Sequence, residues 1–96
     1  MSRFNVTDDG RVLTKRFFHT LEVLKQKRVI RGLKTFTDLH NLNYWNMHTI
    51  QKEQNNHAIK AEWLSYLVQD YNISAEYLLT GIGSMFKDEN LEIASS

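Results

Sequence analysis

Residues 36–54 of the chain read FTDLHNLNYWNMHTIQKEQ, and their pattern predicts two short helices joined by a sharp turn. Phe36 and His40 are four residues apart and therefore share one face of the first helix. Asn41 is predicted to end that helix, because Asn adopts the left-handed conformation more readily than most residues with a side chain. Asn43 is predicted to cap the second helix through its side-chain oxygen.

A second register of the same stretch places Leu39 in the core and Tyr44 at the tight turn. It requires a positive φ from Tyr44, which an aromatic residue rarely adopts, and it buries the amide of Asn43. The register with its turn at Asn41 avoids both costs and is the one we predict.

The second helix, predicted over about residues 44–54, has two chemically different sides. Met47 and Ile50 are three residues apart and are predicted to face inward, toward Phe36 and Leu42. The other faces carry amides, a hydroxyl, an imidazole and aromatic rings, on Tyr44, Trp45, Asn46, His48, Thr49, Gln51 and Lys52. Such groups bind base edges and phosphates, whereas an ordinary solvated helix carries Glu and Lys there. The pattern favours a helix that faces nucleic acid.

The composition limits the class of protein. Ninety-six residues form one small domain with a single modest core. The chain has no cysteine, so neither disulfides nor thiolate metal sites are expected. The N-terminus has Asp8 and Asp9 and no apolar run, which argues against a signal peptide or a membrane span. We therefore expect a soluble, cytoplasmic protein without membrane contact.

Charge is distributed unevenly along the chain. Residues 1–52 hold ten Lys and Arg against four Asp and Glu, a net charge of +6, and residues 53–96 hold two against seven, a net charge of −5. Five cations within ten residues form what we call the basic strip: Lys25, Lys27, Arg28, Arg31 and Lys34. The strip is a candidate phosphate-binding surface. Cations at a helix C-terminus also complement the helix dipole without a partner, and the sequence does not decide between the two explanations.

The rest of the chain is predicted to be helical as well. Gly10 is predicted to be a break, and apolar residues recur at helical spacing from Arg11 or Val12 to about Arg28, and again over residues 59–71. Gly32 is predicted at or near the start of the helix that contains Phe36. No segment alternates with period two over the length of a strand, so the predicted fold class is all-α.

The C-terminal part of the chain contains a second set of turn signals. Asn72 is predicted to end the fourth helix, Ser74 to cap a short fifth helix, and Gly81 to end it. Met85 and Phe86 are predicted to fold back onto the core, although the apolar end around Ile82, Met85 and Phe86 is also a candidate dimer surface.

The segment LSYLVQDYNISAEYLLTGIGSMF, residues 64–86, resembles the phage-repressor-like helix-turn-helix family, also called the XRE or Cro/C1 type. In that family a helix ending in an aromatic residue leads through a small turn into a helix that closes with Leu-Leu-Thr-Gly. The matching positions are Tyr71, Asn72, Ile73, Ser74, Tyr77, Leu78, Leu79, Thr80 and Gly81. The resemblance covers about residues 13–86 and implies a compact five-helix bundle of the lambda-repressor-like DNA-binding type.

The resemblance divides the chain into three parts: a flexible N-terminus (1–10), the helix-turn-helix domain (11–86), and a polar tail or the start of a linker (87–96). Within the helix-turn-helix, Phe36, Thr37, Asn41 and Asn43 stand where the family usually has Leu, Ala, Gly and Ser. Leu33 and Leu39 replace polar or charged residues of the family, so no phosphate contact is carried over to that helix. The positions that read bases in the family are occupied here by Tyr44, Trp45, Asn46, His48 and Thr49.

Two of these residues carry distinct expectations. Trp45 on an outer face either contacts DNA, through a thymine methyl group or a sugar, or packs against a neighbouring loop, and we favour packing. Asn46 can form two hydrogen bonds with adenine, a contact worth roughly 1–3 kcal/mol of discrimination.

Other classes of function find less support. His19, His40, His48 and His57 lack ligand spacing apart from Glu53 with His57, and two ligands do not make a metal site. His40 is predicted at the edge of the core, bonded to a carbonyl, and His19 on a helix surface. No nucleotide loop or nucleophile elbow suggests an enzyme. The serious competitor is a protein-interaction module on the same frame, with Tyr44 and Trp45 as its contact surface.

The sequence therefore predicts sequence-specific binding to double-stranded DNA by a transcriptional regulator, a repressor in the first instance. The second helix of the turn is expected in the major groove, and phosphates are expected at Asn43, Lys52 and the basic strip. Because one helix reads few base pairs, a homodimer on a near-palindromic site is expected. No cofactor, metal or small-molecule substrate is predicted.

Overall fold

A computed structural model describes residues 7–87 of the chain. These residues form five α-helices: α1 (Asp8–Gln26), α2 (Leu33–Leu39), α3 (Tyr44–Lys52), α4 (Ala61–Asp70) and α5 (Ala75–Thr80). A short 3-10 helix, Gln54–Asn56, follows α3. Within residues 7–87 there is no strand, and an isolated bridge joins Ile73 to Phe86. The all-α prediction is confirmed for the part of the chain that the structure describes.

The helices divide into two compact units, with the boundary between Ile59 and Lys60. The first unit contains α1, α2, α3 and the 3-10 helix, and the second contains α4 and α5. All twelve candidate nucleic-acid contacts named above lie in the first unit.

Helix α1 begins three or four residues earlier than its apolar spacing predicts. Thr7 caps it, because its hydroxyl oxygen accepts a hydrogen bond from the N–H of Gly10 at 2.9 Å. Asp8 and Asp9 occupy the first turn, where negative charge complements the helix dipole. The predicted break at Gly10 is therefore wrong, since the cap and the two acids outweigh the low helix propensity of one glycine. The rest of the predicted flexible N-terminus and of the predicted polar tail, residues 1–6 and 88–96, lies outside the described residues.

Helix α1 ends at Gln26, two residues before the predicted end, in a turn that the sequence did not indicate. Arg28 has a φ of 65°, in the left-handed region. The N–H of Val29 donates to the carbonyl of Leu24 at 2.9 Å, and the N–H of Arg28 donates to that of Lys25 at 3.0 Å. This pair of bonds is a Schellman motif, which usually has glycine where Arg28 stands.

The buried face of α1 includes Phe17, Phe18, Leu21 and Leu24, as the apolar spacing predicts. It also buries Thr14, whose hydroxyl group lies 3.0 Å from the carbonyl oxygens of both Gly10 and His57. That contact ties α1 to the segment after α3 and keeps a buried hydroxyl group hydrogen-bonded.

The second unit follows its predicted turns closely. Asn72 has a φ of 60° after α4, and Gly81 has a φ of 77° after α5. Ser74 caps α5 by accepting from the N–H of Tyr77 at 3.2 Å. The N–H of Ser74 donates to the carbonyl of Met85 at 2.7 Å, so the chain after α5 does return to the turn before it.

Within residues 7–87, no helix combines the length and the apolar character needed to cross a membrane.

Candidate nucleic-acid interface

The turn between α2 and α3 forms where the sequence predicts it. Asn41 has a φ of 58°, and the N–H of Leu42 donates to the carbonyl of Thr37 at 2.8 Å. This bond satisfies a carbonyl at the end of α2 that would otherwise lack a partner. Leu39 is 69% exposed, so the register that places it in the core is excluded.

The apolar residues of α2 and α3 that were predicted to face inward are buried. Phe36 and Met47 are completely buried, and Ile50 is almost so. His40 is half-buried, with its Nδ1 2.8 Å from the carbonyl oxygen of Phe36 and its ring 4.5 Å from the ring of Phe36. The prediction of a core-edge histidine bonded to a carbonyl is confirmed. His19 is exposed on α1, also as predicted.

Asn43 caps α3, because its side-chain oxygen accepts from the N–H of Asn46 at 2.7 Å. The carbonyl oxygen of this amide is therefore engaged within the protein, and its NH₂ group is the part suited to a phosphate. Helix α3 ends at Lys52 rather than Gln54, because Gln54 begins the 3-10 helix. Lys52 occupies the last turn, where a cation complements the helix dipole.

Trp45 projects outward from α3. At 100° per residue, its direction lies opposite the midpoint between the buried Met47 and Ile50. Its side chain is 71% exposed, and Asn46, Thr49 and Lys52 are exposed as well. Because α3 contains neither Asp nor Glu, this face carries no negative charge of its own.

Three aromatic rings at the start of α3 contact one another, and we call them the ring cluster: Tyr44, Trp45 and His48. The rings of Tyr44 and His48 are stacked, with centres 5.5 Å apart and planes 12° apart. The indole of Trp45 meets Tyr44 edge-on at 5.0 Å and His48 edge-on at 5.9 Å. The expectation that Trp45 packs against a neighbouring loop is wrong: the ring contacts found within residues 7–87 are with its own helix, and 71% of the residue is exposed.

Two cations of the basic strip lie beside the ring cluster. Lys25 lines a cleft of about 190 Å³ together with Tyr44 and His48. The Nζ of Lys34 lies 6.0 Å from the ring centre of Tyr44 and 2.7 Å from a carboxylate oxygen of Asp38. Both members of this ion pair are exposed, so it is weak and leaves Lys34 accessible to a stronger anion.

The other three cations of the strip, Lys27, Arg28 and Arg31, are exposed in the connection between α1 and α2. The positions of these cations along the helices help to separate the two explanations of the basic strip, phosphate binding and interaction with the helix dipole. Lys25 is in the last turn of α1, where the helix dipole favours a cation. Lys34 is in the first turn of α2, where the dipole disfavours one, so the dipole does not explain its presence.

Some features of this surface are not visible in the sequence. Glu22 and Gln51 line the same cleft as Lys25, which requires the packing of α1 beside α3. The ion pair between Lys34 and Asp38 is predictable from the sequence, because the two residues lie four apart on one helix. Glu53 and His57 pair at 3.4 Å, and no group of three metal-ligating side chains is present in residues 7–87.

Comparisons with protein-family models, with curated proteins and with solved structures find no match to this chain.

Proposed function

We propose that this protein binds double-stranded DNA sequence-specifically through α3, as a phage-repressor-like transcriptional regulator of the repressor kind. In this proposal α3 lies in the major groove, and α2 with the turn at Asn41 sets its orientation. The chain is then a cytoplasmic protein built on a lambda-repressor-like bundle.

The observation that carries the proposal is the composition of the exposed face of α3 and of its surroundings. An amide and an indole are exposed on Asn46 and Trp45, beside the exposed Thr49, and the helix carries no acid. Lys25 and Lys34 lie close to Tyr44 on one side, and Lys52 follows in the last turn. Groups able to contact bases thus lie near groups able to contact phosphates, the combination that a reading helix uses.

The side chains have different roles in this proposal. Asn46 is the candidate for two hydrogen bonds to adenine, at N6 and N7. The exposed cations and the amide NH₂ of Asn43 bind phosphates, which gives affinity but no sequence preference. His48 is half-buried in the ring cluster and stacks on Tyr44, so only part of its ring is available for a contact with DNA.

A single copy reads little DNA. Helix α3 has nine residues and is therefore about 14 Å long, which is enough for a few base pairs. Two copies on a near-palindromic site, with half-sites one helical turn apart, would supply the affinity that a regulator needs. A homodimer is therefore part of the proposal.

The test is selection of bound duplexes from random DNA. The parent protein is expected to enrich one motif, and Asn46→Ala and His48→Ala are expected to relax preference at particular positions of it. Asn56→Ala removes an exposed amide outside α3 and serves as the control, with an unchanged motif expected. Absence of any enriched motif with the parent protein would count against the proposal.

The second candidate is a protein-interaction module, which the exposure of Trp45 beside Tyr44 favours. Aromatic residues of this kind often dominate protein interfaces. The two functions differ in their response to salt. Binding through phosphates weakens steeply as salt rises, whereas an aromatic-centred protein contact changes little.

A further inference from the structure

We propose that Trp45 selects a thymine in the bound DNA by packing its indole against the C5-methyl group of that base. This inference rests on the proposed binding through α3. It goes further by assigning a base and a chemical group to one side chain.

The position of Trp45 on α3 places it in the centre of any groove that the helix enters. The buried Met47 and Ile50 define the inner side of α3, and Trp45 projects in the opposite direction. Trp45 is 71% exposed, so most of its indole is accessible. A side chain that points directly away from the core is well placed to reach base edges, whereas Asn46 lies toward one flank.

The indole is supported by its neighbours before any ligand arrives. Tyr44 and His48 form a stacked pair, and Trp45 meets both rings edge-on, with planes at 78° and 85°. Tyr44 and His48 are each half-buried, so this support is anchored in the protein. A side chain held in this way loses less rotational freedom on binding than an isolated exposed tryptophan.

The surface that Trp45 itself offers to a base is mainly apolar. The hydroxyl group of Thr49, one turn after Trp45, donates to the carbonyl of Trp45 at 2.9 Å and is therefore turned toward the helix backbone. An indole offers a broad apolar surface and a single donor. Of the four bases, thymine presents an apolar group in the major groove, its C5-methyl. The indole of Trp45 therefore matches the methyl group of thymine better than it matches the hydrogen-bonding edges of the other bases.

The experiment removes the methyl group alone. In the duplex selected by the parent protein, each thymine is replaced in turn by deoxyuridine, which lacks the C5-methyl group, and affinities are measured for the parent, Trp45→Ala and Asn46→Ala. One position is expected at which the parent loses affinity roughly fourfold, the effect of burying one methyl group. Trp45→Ala is expected to show no loss there, and Asn46→Ala to show the same loss as the parent.

Several results would overturn the assignment. These are a selected site without thymine, the lack of a methyl effect in the parent, and an equal effect in Trp45→Ala. If Trp45→Ala binds too weakly to measure, Trp45→Gln keeps a long side chain at this exposed position, and the same comparison applies. Failure of the parent to select any sequence is a different outcome, because it removes the proposed DNA binding together with this inference.

Discussion

The side-chain oxygen of Asn43 accepts a hydrogen bond from the backbone N–H of Asn46, 2.7 Å away. The residue that starts α3 is thus bonded to the residue proposed to read adenine. Any change at Asn43 alters the cap of α3 first, so stability and DNA binding must be measured separately for variants at this position.

Asn43→Ala is expected to lower the free energy of unfolding by about 1 kcal/mol, because the first turn of α3 loses its side-chain acceptor. Asn43→Asp keeps an acceptor and adds a negative charge that the helix N-terminus favours, so its stability is expected to match or exceed that of the parent. The Asp variant is nevertheless expected to bind DNA more weakly, because its carboxylate repels phosphate. Urea unfolding and DNA titration distinguish these effects, and equal DNA affinity for Asn43→Asp and the parent would exclude a phosphate at Asn43.

Asn41 occupies a left-handed conformation, so Ala and Gly at this position are expected to change the free energy of unfolding differently. Asn41→Ala should lower the free energy of unfolding by roughly 1 kcal/mol, the cost of a left-handed residue with a Cβ atom. Asn41→Gly should be neutral or slightly stabilising, since glycine adopts this conformation without strain. If both variants unfold at the same urea concentration, the turn does not depend on a positive φ at this residue.

Arg28 is also left-handed, without the local side-chain hydrogen bond that makes Asn tolerable there. Arg28→Gly is therefore expected to raise the free energy of unfolding by up to about 1 kcal/mol. Arg28→Gln removes the same charge but keeps a Cβ atom, so it provides the matched control and should not be stabilising. Comparison of the two in DNA binding then shows what the charge of Arg28 contributes.

The dependence of DNA affinity on salt should identify the cations that contact phosphates. Each of Lys25→Gln, Lys34→Gln and Lys52→Gln is expected to reduce the slope of log K against log salt by about 0.9, the value for one phosphate contact. Lys60→Gln alters an exposed lysine of the second unit and should leave the slope unchanged. A slope unaffected by all three substitutions would contradict the placement of these lysines on the DNA backbone.

Much of the local structure can be predicted because it depends on neighbouring residues alone. Asn41 and Asn72 both end helices in the left-handed conformation, and Asn43 and Ser74 both cap the helices that follow. Such turns follow from backbone sterics and from hydrogen bonds over three to five residues, and both operate within a short stretch of chain.

The errors have equally local causes. Helix α1 begins before Gly10, against the prediction, because the cap at Thr7 and the acids after it stabilise a helix through that glycine. The left-handed turn at Arg28 has no signal in the sequence, because arginine is not typical of such turns and the turn is closed by backbone hydrogen bonds.

The sequence by itself determined where α2 ends, where α3 begins, and which side chains of α3 face the core, because helix periodicity and capping are short-range. Only the tertiary structure decided that Trp45 remains exposed against Tyr44 and His48, and that Lys25 and Lys34 lie beside that cluster. The physical reason is that exposure and the approach of charges depend on how α1, α2 and α3 pack against one another. That packing is set by contacts between residues distant in the chain, which no local pattern specifies.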